Sequence, residues 1–159
     1  MIILGIDPGL AETGVGIIEK TKNSKNGSKF IYLYCLKTKN SLDKEKRLKI
    51  IHDEVVGLIK KFKAEVMAIE GLFFFRNAKS VSSVGQSIGA IMVAAADCGI
   101  KVIEYSPLKI KKNLTNYGRA EKKDLQSAVR KHLGIRKIPR PTHAADALAV
   151  AICHAMNSK

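Results

Sequence analysis

The sequence predicts an α/β fold, a five-stranded mixed sheet flanked by helices. Three observations carry that expectation. Three β-prone runs come first, separated by turn chemistry, as in an antiparallel meander. Two short apolar runs then alternate with long amphipathic stretches, the pattern of strands joined by crossover helices. The last segment is apolar nearly all round, as suits a helix buried against a sheet.

Met1–Ile6 is a continuous apolar run stopped by Asp7-Pro8-Gly9, a turn sequence. Thr13–Ile18 is β-prone and interrupted by glycine, and a polar loop from Glu19 through Lys29 leads to the β-rich run Phe30–Leu36. In Leu42–Phe62 the residues Leu48, Ile51, Val55, Leu58, Ile59 and Phe62 share one helical face and lysines fill the other. Val66–Ile69 is a fourth, short strand that ends at Glu70. Asn77–Cys98 is a long helix with Val81, Val84, Ile88, Ile91, Met92 and Ala95 on one stripe and Gly99 as its stop. Lys101–Tyr105 is the fifth strand; Pro107–Arg119 forms a short helix and a loop, and Glu121–Leu133 is helical. Pro139 and Pro141 break the chain before Thr142 caps a final helix, His143–Met156. No internal repeat or long linker divides the 159 residues, so one domain over 1–159 is expected.

Composition narrows the function. Hydrophobic residues make up 46% of the chain, enough for a core. Lysine and arginine number 28 against 14 acids, a net charge of +14, which points to a polyanion: nucleic acid first, an anionic membrane second. No apolar run approaches the ~18 residues of a membrane span, and the basic segments lack an apolar face to insert. The N-terminus MIILGIDPG has no basic region of the kind that opens a signal peptide, so a cytoplasmic location is expected. Cys35, Cys98 and Cys153 share no metal-ligand spacing and read as small core residues of a reducing compartment.

Against this basic background three acids stand in apolar settings. Asp7 ends the first strand, Glu70 ends the fourth, and Asp146 sits in the first turn of the apolar last helix. Each has an ordinary explanation alone: a turn former, a strand-end surface residue, a partner for the helix dipole. Together they suggest carboxylates gathered at the carboxyl ends of strands to hold Mg²⁺ or Mn²⁺, and through the metal a phosphate. His143, three residues before Asp146, shares its helix face and could join a metal or serve as acid or base, or simply bond nearby backbone at a helix start.

Between Pro107 and Pro141 eleven basic residues face only Glu121 and Asp124, leaving +9 of the +14 in one segment. Lys109, Lys111, Lys112, Arg119, Lys122 and Lys123 lie there with Tyr117-Gly118, a composition suited to a nucleic-acid backbone, although a solvated helix face would read the same way. Directly after Glu70 comes Gly71-Leu72-Phe73-Phe74-Phe75-Arg76; at least one of the rings of Phe73, Phe74 and Phe75 is expected to be exposed where it could stack on bases, the others packing under the next helix.

The ordered set of Gly5-Ile6-Asp7-Pro8-Gly9 with Thr13-Gly14, Ile69-Glu70 with the Phe loop and Asn77-Ala78, Gly85-Gln86, Tyr105-Ser106-Pro107, Tyr117–Lys122 and Ala144–Ala149 resembles the RuvC Holliday-junction resolvases of the ribonuclease H-like superfamily. The resemblance runs over nearly the whole chain. It implies a ribonuclease H-like nuclease domain and a homodimer that acts in DNA recombination and repair. Such an enzyme makes paired, metal-dependent nicks in four-way DNA junctions, leaving 5′-phosphate and 3′-hydroxyl ends, and works beside a branch-migration complex. By the same resemblance Asp7, Glu70 and Asp146 are catalytic metal ligands, with His143 at a fourth site where many members carry Asp. Lys111 and Lys122 fall on functional lysines, Phe73 on an aromatic that meets junction bases, and Asn77–Cys98 on the dimer helix. Two metal ions per site are implied. Asp-x-Gly-x-x-x-Thr-Gly, here Asp7–Gly14, also occurs in actin-like phosphotransferases, which would need a second domain. A non-catalytic DNA-binding module is the remaining alternative, kept open by His143.

Overall fold

The computed structural model describes residues 1–24, 26–72, 78–137 and 139–158. Five strands and five helices follow in the order β1 (Ile2–Asp7), β2 (Glu12–Lys20), β3 (Ser28–Lys37), α1 (Lys44–Phe62), β4 (Val66–Glu70), α2 (Ala78–Asp97), β5 (Lys101–Tyr105), α3 (Pro107–Thr115), α4 (Lys122–Leu133) and α5 (Thr142–Asn157). The sheet order is β3-β2-β1-β4-β5. The first three strands form the antiparallel meander, and β4 and β5 add in parallel to β1 and to each other. This is the five-stranded mixed sheet expected.

Alternation along the strands divides the core into two layers. Leu4, Ile6, Met67 and Ile69 face α1 and α2 and pack with Ile51, Val55, Ile88 and Ile91. Ile3, Val66 and Ala68 face the other way and pack with Leu148, Ile152, Leu125 and Val129 of α5 and α4. The period of two carries this second face forward to Asp7 on β1 and Glu70 on β4, so both acids leave the sheet on the side of α5. The helix stripes agree with the sequence reading, except that Leu48 and Phe62 at the ends of the α1 stripe and Val81, Val84 and Met92 of the α2 stripe are only half-buried.

Helix α5 has no polar flank because it has no free flank: Ala144, Ala145 and every residue from Ala147 to Ala155 are buried. It lies on a strip of sheet without side chains. Gly5 pairs with Gly16 across β1 and β2, and Asp7 pairs with Gly14. A Cβ at Gly5 would run into the Ala147 carbonyl oxygen, and one at Gly14 into the carbonyl of His143. The helix backbone therefore rests directly on the strands.

Two local expectations need correction. Thr142 is the first helical residue and not the cap, which falls on Pro141, whose ring already holds φ at −70°. Asp146 is therefore the fifth helical residue, in the second turn, where the helix dipole gives little account of it. Of the cysteines, Cys153 is buried, and burial pushes its thiol up to about 11; Cys35 and Cys98 are only half-buried. Among the described residues no helix is long and apolar enough to cross a membrane.

Replacing Gly14 by alanine should force α5 away from β2. The expected cost is about 1–3 kcal/mol, as for other overpacked cores. A thermal melt checks it: an unchanged melting temperature would mean that α5 has slack at this point.

Candidate active site

The carboxyl ends of the interior strands β1 and β4 and the first turns of α5 meet at one end of the sheet. Asp7 arrives from β1, and the close seating of α5 on Gly14 brings His143 to it: His143 Nδ1 lies 2.7 Å from Asp7 Oδ2. Asp146, one turn further along α5, completes a cluster in which one ligand atom each from Asp7, His143 and Asp146 lies within 4.8 Å of the others. Glu70 stands beside this cluster. It lines a cleft of about 260 Å³ with Asp146, Lys111 and Lys122, and a second of about 210 Å³ with Asp7, Leu72 and Pro107. The structure thus brings together all four expected ligands, three of them tightly.

The electrostatics are those of crowded acids. Burial, followed by the charges of Asp7 and Asp146, pushes the Glu70 carboxyl up to about 7; Lys111 and Lys122 oppose the shift without cancelling it. Asp7 is also raised, first by burial and then by Asp146, against the pull of its hydrogen bond to His143. Lys122 Nζ reaches Asp146 Oδ2 at 2.9 Å. Carboxylate oxygens with one imidazole make a donor set for a hard or borderline divalent cation, and like-charge crowding is what such a cation relieves.

The basic residues divide by position. Lys111, half-buried on α3, and Lys122, the first residue of α4, line the cleft at Glu70 and Asp146. Lys122 is oriented where the chain turns into α4, with the Glu121 N–H bonded to Asp124 Oδ2 at 3.1 Å. Lys109, Lys112, Arg119 and Lys123 are exposed. Lys109 lies over the Tyr105 ring, 5.1 Å from its centre, so part of its reach is committed to the fold. Tyr117 is 61% exposed and borders a groove of about 720 Å³ along α4 with Lys131 and His132. Phe73, Phe74, Phe75 and Arg76 lie outside the described residues.

Two site residues escaped the sequence reading. Glu12 Oε2 lies 3.4 Å from His143 Nε2, and Lys37 holds Oε1 of the same carboxylate at 2.7 Å. Glu12 lies within the Asp7–Gly14 motif, but only its cross-strand pairing with Lys37 shows where it points. Arg47 of α1 reaches the same cleft as Glu12 and His143, and nothing in its sequence surroundings marks it.

The family model described as "Crossover junction endodeoxyribonuclease RuvC" matches residues 3–154. The chain belongs to the RuvC family of crossover junction endodeoxyribonucleases. It is 45% identical to RuvC of Fusobacterium nucleatum over 97% of this chain and 80% of that one, and 43% identical to RuvC of Caldicellulosiruptor saccharolyticus over 99% and 94%. Among solved structures it superimposes on Thermus thermophilus RuvC with a TM-score of 0.92 at 34% identity, covering 99% of this chain and 95% of that one. The same enzyme solved with a Holliday junction substrate gives the same score, covering 99% and 94%. The yeast mitochondrial Holliday junction resolvase, 12% identical, shares the fold with a TM-score of 0.70, over 96% of this chain and 77% of that one. The fold is therefore the ribonuclease H-like one that the resemblance implies, and the family is a metal-dependent nuclease family.

The raised Glu70 carboxyl has a consequence for stability. A carboxyl near 7 when folded and near 4.5 when unfolded stabilises the fold fully only below pH 4.5, and that contribution is lost as pH rises through 7. In chelator at pH 8, Glu70→Gln should therefore be more stable than the parent, by on the order of 1–3 kcal/mol. The advantage should shrink as pH falls from 7 to 4.5. Thermal melts over that range check it; equal melting temperatures at pH 8 would show that the carboxylate is not penalised.

Proposed function

We propose that this chain, acting as one nuclease domain, resolves four-way DNA junctions by paired hydrolytic nicks that leave 5′-phosphate and 3′-hydroxyl ends. The observation that carries this reading is the carboxylate cluster itself. Acids from β1, β4 and α5 gather at the carboxyl end of the sheet in a protein with a charge of +14, in a chain of the RuvC family.

Asp7, Glu70, His143 and Asp146 would hold Mg²⁺ or Mn²⁺, two ions per site. Such ions supply activated water and take up charge from the reacting phosphate. Lys111 and Lys122 flank the acids and place positive charge against the phosphate backbone as it enters. Lys109, Lys112, Tyr117, Arg119 and Lys123 form the exposed surface over which DNA continues, and Phe73, Phe74 and Arg76 would meet junction bases.

The substrate's two-fold symmetry calls for two sites, hence a homodimer. The outward stripe of α2 suits it: Gly89, Val93 and Ala96 are exposed at helical spacing, Val93 by 55%, and Gly89 leaves open space where a second helix could approach. A cytoplasmic location and cooperation with a branch-migration complex complete the reading.

Cleavage of a synthetic four-way junction, with linear duplex as control, tests the proposal. Asp7→Asn should retain junction binding and lose cleavage by a factor of roughly 10² or more; near-normal nicking by that variant would remove Asp7 from the chemistry. Lys122→Ala should slow cleavage roughly tenfold or more while weakening binding only by the loss of one charge. Equal losses in both would make Lys122 an ordinary phosphate contact.

A further inference from the structure

The clefts around the acids adjoin one another along a trough, neighbouring clefts having lining residues in common. Glu70 and Pro107 are shared by the cleft that holds Lys111 and Lys122 and the one that holds Asp7. Pro8 and Val84 are shared by the Asp7 cleft and a third, of about 550 Å³, that runs past His143 between the β1–β2 turn, α1 and α2. The acids thus occupy the middle of the trough and the two lysines one end. The other end holds a single arginine, Arg47.

Arg47 is built into place. Its Nε donates to Thr38 Oγ1 at 2.8 Å, and the Thr38 hydroxyl donates in turn to the Leu10 carbonyl. Thr38 is buried, and its N–H bonds the Ala11 carbonyl at 3.0 Å, so the guanidinium is anchored to the β1–β2 turn that begins at Asp7. A half-buried guanidinium ordinarily meets a carboxylate. Among the described residues Arg47 forms no ion pair. Glu12, the acid in the same cleft, is held by Lys37 at 2.7 Å and lies 3.4 Å from His143. One arginine donor is used by a neutral hydroxyl, and among the described residues the two Nη groups make no hydrogen bond or ion pair, in a side chain that lines the cleft.

We propose that Arg47 binds a backbone phosphate of the DNA strand lying in this trough, on the far side of the acid cluster from Lys111 and Lys122, with Thr38 as its positioning residue. The inference rests on the nuclease reading above. A phosphodiester strand that crosses the acids must leave them on this side, and a guanidinium fork matches phosphate oxygens bidentately. Such a contact adds affinity and strand register without reading sequence.

The test is equilibrium binding of the full-length protein to a synthetic four-way junction in chelator, over a range of salt. Arg47→Gln should weaken binding severalfold and reduce the slope of log affinity against log salt by about 0.9 for each protomer engaged. Lys60→Gln removes the same charge from the exposed end of α1, about 20 Å along the helix, and should change the slope much less. Arg47→Lys should restore the slope and only part of the affinity, which separates charge from any loss of folding in the glutamine variant. Thr38→Val keeps the charge and should lower affinity with little change in slope. If the parent binds the junction and Arg47→Gln keeps its slope, the Arg47 assignment fails and the nuclease reading stands. If the parent shows no preference for the junction over linear duplex, both fail.

Discussion

The site exists because a helix can touch a sheet with no side chains between them. Gly5, Gly14 and Gly16 clear a strip on β1 and β2, and α5 lies in it with its backbone against theirs. The consequence is geometric. His143 sits over Gly14, the cross-strand partner of Asp7, and so comes within 2.7 Å of that carboxylate, while Asp146 follows one turn later. A helix standing off at the ordinary distance of side-chain packing would carry both groups several ångströms away. The same contact explains the composition of α5. Covered by the sheet on one side and by α3 and α4 on the other, it can be alanine-rich and apolar throughout, and its one buried-face acid then stands out as a group held for a purpose.

That purpose is visible in the balance of charge. Grouping acids in a partly buried cleft is unfavourable, and the raised carboxyls of Asp7 and Glu70 express the cost. The fold does not neutralise the group with its abundant lysines: among the described residues, Lys122 alone pairs with a member of the cluster by a lysine ammonium, at Asp146. Lys111 and Arg47 line the clefts on either side of the acids without pairing with them among the described residues. An acid centre flanked by cations would retain a divalent cation and draw a polyanion towards it. The net charge of +14 is therefore informative mainly through its exceptions.

Much of this was legible in the sequence because strands and helices have fixed periods. Asp7 and Glu70 end apolar runs, and the period of two puts both on one face; His143 and Asp146 share a helix face at a spacing of three. What escaped depends on register or on turns. Glu12 matters because it faces Lys37 across β2 and β3, a pairing set by the length of the β2–β3 connection and by a bulge between Ile17 and Ile18. Arg47 looks like one more basic residue on a solvated helix, and only the Thr38 bridge shows that it is held. Thr142 resembles a helix cap, yet the preceding proline takes that position and moves Asp146 from the first turn to the second.

His143 bears on the same electrostatics. A carboxylate at that place would put one more negative charge beside Asp7 and Asp146, where burial and repulsion already hold Asp7 up and Glu70 near 7. An imidazole supplies a donor atom without adding negative charge. It also needs restraint that a short carboxylate would not, since its ring must present a chosen nitrogen. The surroundings supply the restraint from both sides: Nδ1 faces Asp7 at 2.7 Å and Nε2 faces Glu12 at 3.4 Å, with Glu12 itself held by Lys37. Glu12 and Lys37 thus extend the site by one layer, keeping the imidazole directed at the acids. The neighbours of His143 thus fix the direction of its ring, as a metal ligand at that position would require.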